Sequence, residues 1–170
     1  IGTNSNPPAT PSSVLGAGPN GGTCARIENS RNISIVGLRM QSCVGDAIEI
    51  VDSERIQIHG NDLIKALQNG VRIDNSRHID LTGNHILRMG DVGVVTAGSS
   101  FVQVEANRIR TSRFGVITEG DAIDVINNEI RNNISGGVEV TATTSKISRN
   151  WVIGNGGFQI RESIPAPTGG

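Results

Sequence analysis

Asp74, Glu119, Glu139 and Arg113 are the residues of this chain whose types could perform a reaction together. Two carboxylates facing each other across a gap that holds a water can serve as acid and base in an inverting hydrolysis. A base beside a cation that neutralises a uronate can instead remove an α-proton, as a lyase requires. Either chemistry requires at least two of these side chains, distant in sequence, to share one surface. Whether they do depends on the elements that carry them.

Those elements are repeats. The segment Ala25-Arg26-Ile27-Glu28-Asn29-Ser30-Arg31 recurs as Val71-Arg72-Ile73-Asp74-Asn75-Ser76-Arg77, with a looser copy, Ile48 to Glu54, midway between them. A second marker, Asn61, Asn84, Asn107, Asn128 and Asn150, is spaced by 23, 23, 21 and 22 residues. A third is a glycine before an apolar residue: Gly70-Val71, Gly93-Val94, Gly115-Val116, Gly137-Val138 and Gly157-Phe158. The markers drift together, which is the signature of a repeat architecture. Inside each period, runs such as Ile56-Gln57-Ile58, Ile79-Asp80-Leu81 and Val102-Gln103-Val104 alternate apolar with polar residues. That alternation marks a strand with one buried face.

Three such runs per period predict an all-β fold, a right-handed parallel β-helix solenoid of about six coils. Each coil spans about 21–25 residues and holds three short strands. A helical repeat is disfavoured by the β-branched residues and the glycines in mid-period, and a left-handed hexapeptide helix by the lack of a six-residue period. The core must be aliphatic, because the chain has three Phe, one Trp and no Tyr. The Asn column is expected to supply left-handed corner residues and an amide ladder from Asn61 onward, Leu38 taking its place in the first coil. The solenoid is assigned to residues 23–162, with a Pro/Gly/Asn-rich leader or cover at 1–22 and a tail or linker at 163–170. The ends of the solenoid are expected to be covered by other domains or by self-association. A start at Ile1, without Met, fits a mature or an excised chain.

Alternation places two outward columns on the first strand of each coil. One runs Arg26, Glu49, Arg72, Val95, Ile117, Glu139, Gln159; its neighbour runs Glu28, Val51, Asp74, Ala97, Glu119, Thr141, Arg161. Asp74 and Glu119 are then two coils apart, roughly 9.6 Å, and Glu119 and Glu139 are diagonal neighbours at roughly 7 to 9 Å. Both separations approach that of an inverting acid–base pair, and Arg113 lies on the turn feeding the strand of Glu119. The plainer reading is solvated surface charge of little individual worth, including an Arg26–Glu49–Arg72 ladder.

The Gly-aliphatic, Ile-x-Ile and Gly-Asn-x-Ile markers resemble the parallel β-helix repeats of the pectin-lyase-like superfamily, over about residues 23 to 162. The resemblance implies that the Ile-x-Ile run is the second strand and the Asn is the short second turn. It also implies that the outer face of the first strand carries the sugar cleft in members that are enzymes. It does not select an activity, since pectate lyases, polygalacturonases, alginate epimerases, copper-site maturation proteins and phage tailspikes share the fold. The polygalacturonase pattern is missing, Arg72-Ile73-Asp74 matching only part of its Arg-Ile-Lys; the Asp-Pro-His of epimerases is missing too. Asp46 with Glu49 or Asp74 would make a thin calcium site, and no other cofactor is evident.

Other side chains carry weaker signals. Arg88, Arg110 and Arg131, with Arg113, could flank the first-strand face. His59, His78 and His85 do not share a column on adjacent coils, which disfavours a histidine metal site. Trp151 faces outward and could stack on a sugar, or pack beneath Ile164-Pro165. Cys24 and Cys43 lie on neighbouring coils about four positions out of register; a bridge, which would imply an oxidising compartment, and two unpaired thiols both remain open. A net charge of −1 gives no reason to expect nucleic acid, and no run approaches a membrane span. The expected function is that of a polysaccharide-associated β-helix, a candidate lyase, epimerase or hydrolase fragment acting on acidic glycan. The alternative is a non-catalytic structural, adhesin or fibre-shaft module. In either case the setting would be extracellular, periplasmic or surface-associated.

Overall fold

A computed structural model describes residues 22–163, together with the backbone of the short strand Ser13–Leu15. The leader and tail assigned to the two ends otherwise lie outside the described residues.

The alternating runs form strands, and every strand pair is parallel. The strands stack in columns, coil over coil. First strands run from Ala25–Glu28 through Ile48–Val51 and Val71–Asp74 to Gly136–Ala142 and Phe158–Ser163. Second strands include Arg31–Val36, Glu54–His59, Arg77–Thr82 and Ser145–Ser148. Third strands run from Arg39–Cys43 through Asp62–Ala66, His85–Leu87, Arg108–Arg110 and Glu129–Arg131 to Trp151–Ile153, with Ser13–Leu15 paired to Arg39–Gln41 at one edge. The result is six coils and the first strand of a seventh. In the fourth and fifth coils the first and second strands fuse into single bent strands, Val92–Glu105 and Phe114–Ile126. These bend where the register shifts between Thr96 and Ser99, beside Gly98 at φ 58°.

The core is a stack of aliphatics. Ile56, Ile79 and Val102 lie one above another and are almost fully buried, and Ile58, Leu81 and Val104 form the next column. Gly93 belongs to this packing for a steric reason. A Cβ there would collide with the Ile109 side chain and with the carbonyl of Gly115 one coil on.

Three polar columns close the corners. Asn61, Asn84, Asn107, Asn128 and Asn150 bond in series. The Asn84 amide nitrogen donates to Asn107 Oδ1 at 3.0 Å and to the Ile58 carbonyl at 2.8 Å, and its backbone N–H donates to the same Oδ1 at 2.9 Å. Leu38 opens the series, its N–H donating to Asn61 Oδ1 at 2.9 Å. The left-handed conformation belongs to the residue before each Asn: Gly60, Gly83, Ala106, Asn127 and Arg149 have positive φ and the column asparagines do not. This corrects the corner assignment. A side chain satisfying buried groups must point inward, so its neighbour makes the reversal.

Sequence reasoning missed the other two polar columns. Ser30, Ser53 and Ser76 each donate a backbone N–H to the serine hydroxyl one coil on, at 3.0–3.1 Å, ending at Ser99. The third column, Ser112, Asn133 and Asn155, lines the turn after the third strand. In the earlier coils its place is taken by Cys43, Ala66 and Met89, all buried. Cys43 reaches Cys24 from that inner column, and the two form a disulfide with a Cα–Cα distance of 5.5 Å. The turn through Val44 to Asp46 folds back far enough to cancel the offset in register.

Candidate functional site

The outer face of the first strands is rigid because each strand between Ala25–Glu28 and Phe158–Ser163 at the two ends is hydrogen-bonded on both sides. Strand pairing confirms most of the two outward columns. Arg26, Glu49, Arg72 and Val95 are successive partners, as are Glu28, Val51, Asp74 and Ala97. The last coil differs from expectation. Glu139 pairs with Arg161, not Gln159, and Thr141 pairs with Ser163, not Arg161. Gly157 is not the equivalent of Gly137; that position is held by Gln159, whose carbonyl a Cβ on Gly137 would strike. The missing glycine misled the register by two residues.

The four candidate residues are differently engaged. Asp74 accepts a hydrogen bond from Arg72 Nε at 2.7 Å. Glu139 is paired with Arg161 at 3.3 Å. Arg113 reaches Asp91 at 3.6 Å and lies over the Phe114 ring at 5.4 Å. Glu119 alone is exposed with a carboxylate that has no partner among the described residues; its backbone N–H is held by Thr96 Oγ1 at 3.1 Å. Register keeps Asp74 and Glu119 two coils apart, and puts Glu139 beside Ile117, two residues short of Glu119. The charge ladder is shorter than expected. Arg26 bonds Glu49 at 2.6 Å, while Arg72 turns along its own strand to Asp74.

Asp46 does not join Glu49 or Asp74. It is 3% exposed and accepts two bonds of 2.8 Å from Asn69, one from the backbone N–H and one from the side-chain amide. Burial pushes its carboxyl above the usual range, against the opposing effect of those bonds. Among the described residues no three His, Cys, Asp or Glu side chains gather as a metal site would need.

Arg110 and Arg131 leave the first-strand face altogether. They surround Glu129 on the sheet of third strands, at 2.5 and 2.7 Å, with Arg108 at 3.6 Å. Burial pulls the Glu129 carboxyl upward, but the Arg110 bond and the three cations together hold it below the usual range. Trp151 faces outward next to this group, with Arg131 over its ring at 5.7 Å.

A second arginine group was not foreseen. Glu54, with a side chain only 8% exposed, receives Arg77 at 3.0 Å, Arg55 at 3.1 Å and Arg31 at 3.3 Å. The hydrogen bond from Arg77 lowers its carboxyl, and the surrounding positive charge outweighs the cost of burial. Arg31, Glu54 and Arg77 of this group line a surface pocket of about 280 Å³ at the corner between first and second strands, with Asp52, Asn75 and Ser100 on its walls. Arg31 and Arg77 both lie in the quoted repeat and Glu54 ends its looser copy, so the spacing was visible. The convergence of their side chains was not.

The family model for the right-handed β-helix region matches residues 23–163. The chain belongs to that family, whose scaffold is the one implied by the pectin-lyase-like resemblance. Comparison with curated proteins and with solved structures gives no match.

Proposed function

We propose that this chain is a polysaccharide-associated β-helix that presents a binding surface and carries out no reaction on its first-strand face. The observation behind this reading is the engagement of the candidate carboxylates: Asp74 is bonded to Arg72 and Glu139 is paired with Arg161. An acid–base pair needs two carboxyl groups free to exchange protons with substrate and water. Here only Glu119 is free. The disulfide supports an extracellular, periplasmic or surface-associated setting, because such bonds persist in oxidising compartments.

The catalytic reading keeps one specific support, the exposed and unpartnered Glu119 on a rigid strand. Incubation with polyuronate, neutral and sulfated glycans, followed by viscosity and by ultraviolet absorbance of unsaturated products, separates the two. Binding without turnover is expected. Turnover that falls at least ~100-fold in Glu119→Gln, the lower end for a lost acid or base, would overturn the binding reading and make Glu119 a catalytic residue.

A further inference from the structure

The corner between the first and second strands has a fixed backbone and freely varied side chains. Asn32, Arg55, His78, Phe101 and Ala122 succeed one another there, all with φ between 51° and 57°. Ladder pairing passes over each of them, for example from Glu54↔Arg77 directly to Ile56↔Ile79. Such a site suits Asn and tolerates a bulky aromatic poorly. Phe101 nevertheless occupies it, 54% exposed, with its ring stacked on His78 at 4.9 Å. Neither hydrophobic burial nor backbone preference accounts for a phenylalanine in that place. Strain and exposure together point to a use outside the fold.

Immediately before these residues on the same strands lies the pocket. Arg31 and Arg77 line it with Glu54 and Asp52, and Arg55 pairs with the same Glu54 from outside the lining, so three guanidiniums stand around two carboxylates. One positive charge is left to attract an anion. Arg31 and Arg77 are each bound through part of the guanidinium, so other N–H donors remain for a planar carboxylate or for sulfate oxygens. Asp52, Asn75 and Ser100 supply acceptors and donors for hydroxyl groups. Asp52 also repels a chain of closely spaced phosphates, which argues against nucleic acid.

We infer that this corner binds an anionic sugar unit of a glycan, the acidic group held by Arg31 and Arg77 and the apolar face of a ring lying on the His78–Phe101 shelf. The inference rests on the glycan-binding reading and adds the site and the charge of the ligand. It lies away from the outer face of the first strands.

The test measures equilibrium binding of polygalacturonate, dextran sulfate, uncharged dextran and a single-stranded oligonucleotide to the disulfide-intact chain. It compares the parent with Arg77→Gln and with Phe101→Asn, which places at this corner the residue that the first coil carries at Asn32. Expected are binding of at least one acidic glycan in preference to dextran, a loss of tenfold or more in Arg77→Gln and of about fivefold in Phe101→Asn, with the melting temperature of Phe101→Asn unchanged or raised. Polygalacturonate or dextran sulfate as the sole ligand tells uronate from sulfate, and either supports the site. Acidic-glycan binding untouched by both variants overturns the corner site while leaving the glycan-binding reading in place. No binding to any glycan overturns both. Tighter binding of the oligonucleotide overturns the assignment to a sugar, and a lowered melting temperature in Phe101→Asn with binding intact makes Phe101 structural.

Discussion

The asparagine column and the outer corner column repeat with the same period and differ in everything else. Five asparagines occupy the first, each buried or partly buried, the first four bonded to the coil on either side and Asn150 to the coil before it. Four different side chains join Asn32 in the second, on backbone that is nearly superposable in φ. In the asparagine column the fold decides the residue, since an amide that both donates and accepts is what the carbonyls and neighbouring amides require. In the outer column the backbone asks only for a left-handed conformation. Chemistry beyond folding can be placed there at small cost to the solenoid.

The sharpest way to break this contrast is Asn107→Ala. It removes an acceptor used twice by Asn84 and a donor to the Leu81 carbonyl and to Asn128. Buried groups left without partners predict a loss of about 3 kcal/mol, at the upper end for one unsatisfied site, measured by denaturant unfolding. A change under about 0.5 kcal/mol, typical of a surface position, would show that the column is not what fixes the coils.

Much of this architecture was legible in sequence because its causes are local and periodic. Aliphatic alternation fixed the strands, and the spacing of Asn61, Asn84 and Asn107 fixed the coils. What was misread had causes outside the pattern. Gly157 imitated the corner glycine while Gln159 held the true position, since the final turn is built differently. The left-handed role was given to the asparagines because their side-chain duty, which occupies them inward, shows only in three dimensions. Of the candidate site, the column positions of Asp74, Glu119 and Glu139 were readable. Their ion pairs were not, because which arginine a carboxylate chooses depends on rotamers: Arg72 selects Asp74 on its own strand over Glu49 one coil away. The Glu54 group stayed hidden for the same reason.

A smaller effect sharpens the comparison at the third turn. Asp46 fills an inward polar position as a carboxylate beside Asn69, and burial raises its carboxyl above the usual range. Its folded form therefore holds the proton more tightly than the unfolded chain, and the charge costs stability once pH rises through the folded value. Asp46→Asn keeps the acceptor for Asn69 and removes that cost. A gain of about 1 kcal/mol, the scale of one optimised position, is expected near neutral pH. It should shrink as pH falls and disappear below about 3.9, the value for an unfolded aspartate. A melting temperature that drops at neutral pH would mean that the charge itself is needed.

The most direct measurement of the division between inner scaffold and outer corner is amide hydrogen exchange with and without saturating acidic glycan. The corner site predicts added protection at residues 52–55, 75–78 and 98–101, the three successive passages of the arginine corner, with residues 117–119 and 139–141 unchanged. Protection centred on the latter two segments would place the ligand on the first-strand face beside Glu119 and contradict it.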